Sequence, residues 1–276
     1  MTGRESARRS SAPFSAERTG AMVLRYVYIL RGSWPRIIEL AYWPLMQVVL
    51  WGFISKFLAT NSSWVAQGAG VLIGAVLLWD VLFRGQLGFS VSFLEEMWSR
   101  NLANLFVSPL RPYEFVVALS LMSVIRTVIG VVPAALLAIL FYHYSIFDLG
   151  LPLIAFFFLL LMLGWAVGLL ITALIMRFGL GAESLAWIAM FAVAPVSGVF
   201  YPVGTLPEWL QMVSWALPSA YVFEGMRAII FDAAVRWDYM LAALALDLVY
   251  LAAAGAFFLY SFHVSRRDGL LMKVGE

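Results

Sequence analysis

Long apolar runs recur along the chain, near residues 37–58, 66–89, 114–141, 151–176, 184–200 and 239–262. Each is close to or above the roughly 17 residues that a helix needs to cross a bilayer. The fifth is the shortest, and Pro195 breaks it near its end. In hydrocarbon every backbone polar group must be satisfied within the segment, so runs of this kind fold as helices. Composition agrees. Hydrophobic residues make up 63% of the 276 and charged residues 12%, where a soluble domain has about 45–50% and about 25%. Mean hydropathy is +0.90. A soluble core of this size could not cover that much apolar surface. These values exclude a soluble enzyme, a disordered chain and a nucleic-acid module. The absence of cysteine excludes disulfides, thiolate metal sites and cysteine catalysis.

The remaining segments set the organisation. Residues 1–17 are rich in Ser, Arg and Ala and read as a disordered cytoplasmic tail; 18–276 read as one transmembrane domain. Near residues 18–36, Arg18, Arg25, Gly32 and Arg36 share a helical face, and Met22, Leu24, Val27 and Leu30 lie away from it. That pattern predicts an amphipathic helix on the membrane surface; a plain juxtamembrane linker is the alternative. Between spans five and six, Leu206, Trp209, Leu210, Val213 and Leu217 recur at helical spacing and predict a short amphipathic or re-entrant helix. The expected fold is all-α and integral to the membrane, with six transmembrane helices. Arg4, Arg8, Arg9, Arg18, Arg25, Arg31, Arg36, Arg100, Arg111, Arg177, Arg266, Arg267 and Lys273 then fall on one side, and Arg227 and Arg236 on the other. The positive-inside rule puts both termini in the cytoplasm.

Enzyme chemistry is sparse. Lys56 precedes Phe57 and Lys273 precedes Val274, so the chain lacks the Lys-Ser/Thr ending of a P-loop. His143 and His263 sit at span ends on opposite sides and cannot share a metal. No catalytic, cofactor-binding or metal-binding residues are expected. Intramembrane charges face a protein interior or a wet path. Asp80 and Arg84 lie one turn apart and can pair, while Arg126 and Asp247 lie near mid-depth of spans three and six. Structural pairing, with Arg126 partnered by Asp247 or Asp80, is favoured over a translocation path. Gly70–Gly74 and Gly164–Gly168 are GxxxG matches that allow close helix approach. The loop from Glu95 to Pro112 begins amphipathic and is closed by Pro109 and Pro112. Its Leu102, Leu105 and Phe106 offer one apolar face, and Glu95, Glu96 and Arg100 flank it as rim charges.

Four stretches together resemble the membrane subunit of ABC-2-type ABC transporters. They are RGSWPRIIELAYWPLMQVVLWG at 31–52, NLANLFVSPLRPYEFVVA at 101–118, GVFYPVGTL at 198–206 and LPSAYVFEGMR at 217–227. The resemblance covers about residues 20–265, including span order. It implies an exporter subunit of the inner (plasma) membrane that pairs with itself or a close homologue. The substrate path would run between the two permease chains. A separate cytoplasmic ATPase would bind ATP and Mg and dock on the 95–111 loop. Membrane lipids are expected partners and nucleic acid is not. The alternative function is a gradient-driven secondary transporter using Asp80, Arg126 and Asp247 as a relay. An intramembrane enzyme and a scaffold without flux are weaker alternatives.

Overall fold

The computed structural model describes residues 14–61 and 63–267, and among these there is no strand. The helices are α1 (Ala16–Arg31), α2 (Trp34–Asn61), α3 (Ser63–Trp98), α4 (Leu102–Val107), α5 (Pro112–Tyr142), α6 (Leu151–Phe178), α7 (Leu185–Val193), α8 (Glu208–Trp215), α9 (Pro218–Asp232) and α10 (Trp237–Arg267). Five stretches are long and apolar enough to cross a membrane: Trp34–Leu58, Gly70–Trp98, Pro112–Tyr142, Leu151–Ala182 and Trp237–Arg267. The molecule is a multi-pass membrane protein.

α3 is the axis of the bundle. Its most apolar window is 78% buried, against 17% for α2 and 22% for α10. α2, α5 and α6 pack around α3, and α10 packs on α6 and α9. The outer faces stay apolar, with Trp43, Met46, Leu50 and Phe53 exposed on α2 and Leu121, Val128, Val132, Leu136 and Leu140 on α5. Apolar surface on the outside is what a lipid solvent permits.

The two GxxxG matches serve different ends. A Cβ at Gly164 would lie 2.8 Å from the Leu82 carbonyl oxygen and 2.9 Å from the Gln86 nitrogen; one at Gly168 would lie 2.9 Å from Phe89 Cβ. This pair therefore sets the α3–α6 crossing. Gly70 and Gly74 instead form a slot for a single side chain, Tyr144.

The expected fifth span is helical over only part of its length. Only Leu185–Val196 is helical, a short apolar piece. Its 12 residues rise about 18 Å at 1.5 Å each, well under the ~30 Å hydrocarbon core. The helix tightens into a 3-10 turn at Ala194–Val196, and Gly198 turns the chain away at φ +73°. Ser265 Oγ donates to the Met176 carbonyl at 3.1 Å, which levels the C-terminal ends of α10 and α6. The two helices therefore run in the same direction. Residues 179–236 carry the chain back to the other end of the bundle, and Phe200, stacked on Trp51 at 4.9 Å beside the end of α5, is already there before α8 and α9 begin. The short helix expected between spans five and six is α8. α9, also in this segment, escaped the sequence reading; its Val222, Phe223 and Met226 pack inward.

The N-terminal region also departs from expectation. α1 begins at Ala16, inside the segment read as tail, where Ser15 Oγ caps the Arg18 amide; residues 1–13 lie outside the described residues. Arg36 belongs to the first turn of α2 rather than to the surface helix.

Candidate functional site

At the end of the bundle that holds α1, four arginines meet three carboxylates, two in the last turn of α3 and one in the first turn of α5. Thr19, Met22, Tyr26 and Leu30 recur every three or four residues and form the buried stripe of α1. Tyr26 is 1% exposed, and its hydroxyl points at the Ser92 carbonyl, 3.5 Å away. Burial, followed by the nearby negative charge of Glu96, pushes its phenol well above the ordinary range, so it stays a neutral donor. Arg18 and Arg25 flank this stripe. The basic face expected to meet water or headgroups is turned instead toward two carboxylates.

Arg25 Nη1 and Nη2 reach Glu96 Oε1 and Oε2 at 2.5 and 3.1 Å. Hydrogen bonding to Glu96 raises the Arg25 guanidinium further above its usual range. Glu96 is 1% exposed and also accepts from Asn101 Nδ2 at 2.7 Å. Arg18 holds Glu114 by two bonds, 2.6 and 3.0 Å. Glu114 also accepts from the backbone amides of Ser15 and Arg111. Glu95, next to Glu96, takes Arg126 of α5 at 2.9 Å and Arg36 of α2 at 3.4 Å. One turn of α3 thus fastens α1, α2 and α5 into a collar.

This geometry corrects two readings of the sequence and refines a third. Glu95 and Glu96 are not rim charges of an open loop, because α3 runs on to Trp98 and both are spent within the chain. Arg126 is partnered by Glu95 rather than by Asp247 or Asp80. Asp80 and Arg84 attract each other electrostatically across one helical turn, but among the described residues no direct ion pair joins them. Asp80 Oδ2 and Arg84 Nε have no hydrogen-bond partner, and the Arg84 guanidinium packs instead against Gly130 and near the Leu40 carbonyl. Asp247, on α10, is fully buried and stands apart from all of these.

The loop is short and rigidly entered. Arg100 adopts the left-handed conformation, φ +53°, is exposed, and ends α3 through its amide to the Met97 carbonyl. α4 follows, and Pro112 starts α5 at a position where a missing N–H is harmless. Leu102 is 1% exposed and packs into the bundle, so it is not available to a partner. Leu105, Leu110, Arg111, Pro112 and Phe115 line a shallow cleft beside it. The Phe106 side chain lies outside the described residues. Trp98 Nε1 reaches Glu183 at 3.4 Å and joins the loop after α6 to the same end.

A second polar constellation sits at the other end of the bundle. Arg227 Nη2 donates to the Gly198 carbonyl at 2.6 Å and pairs with Glu224 at 3.1 Å. Glu224 Oε1 accepts from the Val203 amide at 2.6 Å. The two residues thus tie the 198–203 turn to α9, which joins the last two of the four sequence stretches in space. A profile of the ABC-2 type transporter family matches residues 30–231, a range that ends one residue before α9 does. The chain belongs to this family. As an ABC-2 type transporter it is the permease component of an ABC transporter and not itself catalytic. No curated protein matches the chain. The match takes in the collar loop and the 198–227 clamp and leaves most of α1 and all of α10 outside it. Among the described residues no group of three or more His, Asp or Glu is placed to hold a metal ion.

The clamp yields a direct expectation for this ABC-2 permease. Arg227 is 7% exposed, and Arg227→Ala leaves the Gly198 carbonyl without a donor and Glu224 without its cation. A buried polar group left unsatisfied costs about 1–3 kcal/mol. Backbone amides of residues 198–203 should exchange hydrogen faster in the variant, with those of α6 unchanged. Equal protection of the turn in both proteins would mean that the bonds do not hold it.

Proposed function

We propose that this chain is the transmembrane subunit of an ABC exporter, working as a pair of permease chains with a separate cytoplasmic ATPase. The collar end is the cytoplasmic end. The chain sits in the inner (plasma) membrane with both termini inside, the substrate path lies between the two permease chains, and ATP and Mg are bound by the partner. The pair is a homodimer or a close heterodimer. The observation that carries this reading is the Arg25–Glu96–Asn101 chain of contacts. It makes α1, the end of α3 and the start of the loop one mechanical unit. A push on the loop from an ATPase would therefore pass into α1 and α3 together, and through Glu95 into α2 and α5.

Within the loop, the docking anchors are Leu105, which lines the cleft with Leu110 and Phe115, and Phe106, the next residue along α4. Buried apolar anchors usually dominate such interfaces, while exposed rim charges add little at physiological salt. Glu95 and Glu96 act by holding the collar, and Arg100 by shaping the end of α3. Nothing in the collar supports the gradient-driven alternative, because Glu95 occupies the arginine that would stand between Asp80 and Asp247 in a relay.

The test is co-purification with an ABC ATPase subunit co-expressed with this permease. Leu105→Glu should abolish capture of the ATPase while the permease still inserts and purifies in normal yield. Unchanged capture would remove the loop as the dock.

A further inference from the structure

α10 packs on α6 and α9 and lies beyond the 30–231 range of the family match. Ala254, Phe258, Ser261, Phe262 and Ser265 make its buried face toward the C-terminal end. The opposite face is open. Leu241, Leu248, Val249, Leu259 and Tyr260 are all exposed on it. His263, Arg266 and Arg267 continue the same face at helical spacing and are exposed too. From Leu241 to Tyr260 the helix rises about 28 Å at 1.5 Å per residue, close to the ~30 Å hydrocarbon core of a bilayer. With that run immersed in lipid, His263, Arg266 and Arg267 stand in the headgroup layer.

The charge at this end of the face is not balanced from within. Among the described residues Arg266 and Arg267 enter no ion pair. α6 carries no carboxylate, and its one charged residue, Arg177, is exposed. The Ser265–Met176 hydrogen bond puts Arg177 at the level of Arg266. On α9, Glu224 is taken by Arg227, and Asp232 ends that helix just ahead of the start of α10. On α10 itself, Asp238 is held by Arg236 in the first turn, and Asp247 is buried on the opposite face. Glu183, in the loop after α6, accepts from Trp98 Nε1. Asp268 follows Arg267 in the sequence and lies outside the described residues. Even with Asp268 counted against them, three guanidinium groups leave this end of the α6–α10 pair positive. His263 is turned back on its own helix, with Nδ1 2.6 Å from the Leu259 carbonyl oxygen, so the arginines carry the charge. Exposed basic side chains at this depth attract anionic headgroups.

We propose that the lipid-facing end of α10 is a binding surface for an anionic phospholipid, with acyl chains along Leu259 and Tyr260 and the phosphate held by Arg266 and Arg267. A zwitterionic lipid fits the same apolar stripe, but its own ammonium group cancels most of the attraction; a net negative headgroup keeps it. The basic end continues an apolar face of membrane-spanning length and stands apart from the collar, which selects a lipid over a protein partner. The surface requires only that α10 crosses the membrane. It is independent of ATPase docking and of which end of the bundle faces the cytoplasm.

The chain has no cysteine, so Leu259→Cys carries a single fluorophore among the acyl chains beside the arginines. The labelled full chain is reconstituted in vesicles of phosphatidylglycerol and phosphatidylcholine in equal amounts. Bromine quenchers are placed on the acyl chains of one lipid or of the other. Each arginine near an anionic surface corresponds to about a fivefold enrichment. Brominated phosphatidylglycerol should therefore quench the label several times more effectively than brominated phosphatidylcholine. A label at Leu241→Cys, at the other end of α10, should show little preference. Arg266→Gln combined with Arg267→Gln should bring the two lipids to near-equal quenching at position 259. Arg266→Lys combined with Arg267→Lys, which keeps the charge, should preserve the preference. Equal quenching by the two lipids at position 259, with both arginines in place, overturns the surface. A preference that survives the double glutamine substitution undiminished does so too.

Discussion

Glu95→Ala should be among the most destabilising single changes in the bundle. It strips the partner from Arg126, whose side chain is 8% exposed, and from Arg36 at the same time. Breaking a buried pair by removing one member leaves an uncompensated charge and costs about 3–5 kcal/mol at full burial. Glu95 is 14% exposed, so the lower half of that range is expected. Removing both members is gentler, since no charge is then stranded. The double variant Glu95→Ala, Arg126→Ala should be less destabilised than the sum of the two single ones, by at least about 1 kcal/mol. Denaturant unfolding of the detergent-solubilised chain reads all three. Additive losses would mean that water, not Glu95, neutralises Arg126.

Gly164→Val is the second large effect. The added Cβ would meet backbone on every side: the Leu82 oxygen at 2.8 Å, the Gln86 nitrogen at 2.9 Å and the Gly85 carbonyl carbon at 3.1 Å. No side-chain rotation relieves that contact, so α3 and α6 must separate. Overpacking typically costs 1–3 kcal/mol, and this site has the geometry for about the top of that range. Gly255 is the control, with nothing within 4 Å of its Cβ position. Gly255→Ala should be neutral or stabilising by up to about 1 kcal/mol, through helix propensity alone. Equal unfolding of Gly164→Val and the wild type would show that the crossing is looser than the distances imply.

The spans were legible because each is a run, and hydropathy needs no knowledge of partners. α9 was missed because Pro218 and the surrounding polar residues make its segment read as loop. The signal was present, with Pro218 at the first helical position and Val222, Phe223 and Met226 at helical spacing. The ion pairs were not legible. In the sequence, span two reads as ending near residue 89, which leaves Asp80 and Asp247 as the acids within the spans that could partner Arg126. α3 continues to Trp98, and that extension brings Glu95 within reach. Nor does the amphipathic pattern of α1 say whether its apolar stripe meets lipid or protein. Arg18 and Glu114 are 96 residues apart, a separation at which sequence pattern carries no pairing information. The clamp was half visible: both of its segments carried the family likeness, but only the fold joins Arg227 to Gly198.

The collar also constrains the order of biogenesis. α1 precedes every membrane span on the nascent chain, yet its anchors, Glu96 and Glu114, lie 71 residues after Arg25 and 96 after Arg18. The amphipathic helix must therefore wait, with Met22, Tyr26 and Leu30 uncovered, until α3 has been inserted and α5 has begun to leave the ribosome. Its final fastening is a late step of synthesis despite its place at the start of the chain. During that interval the bilayer surface is the natural shelter for its apolar stripe, and the helix moves from lipid to protein when Glu96 and Glu114 arrive.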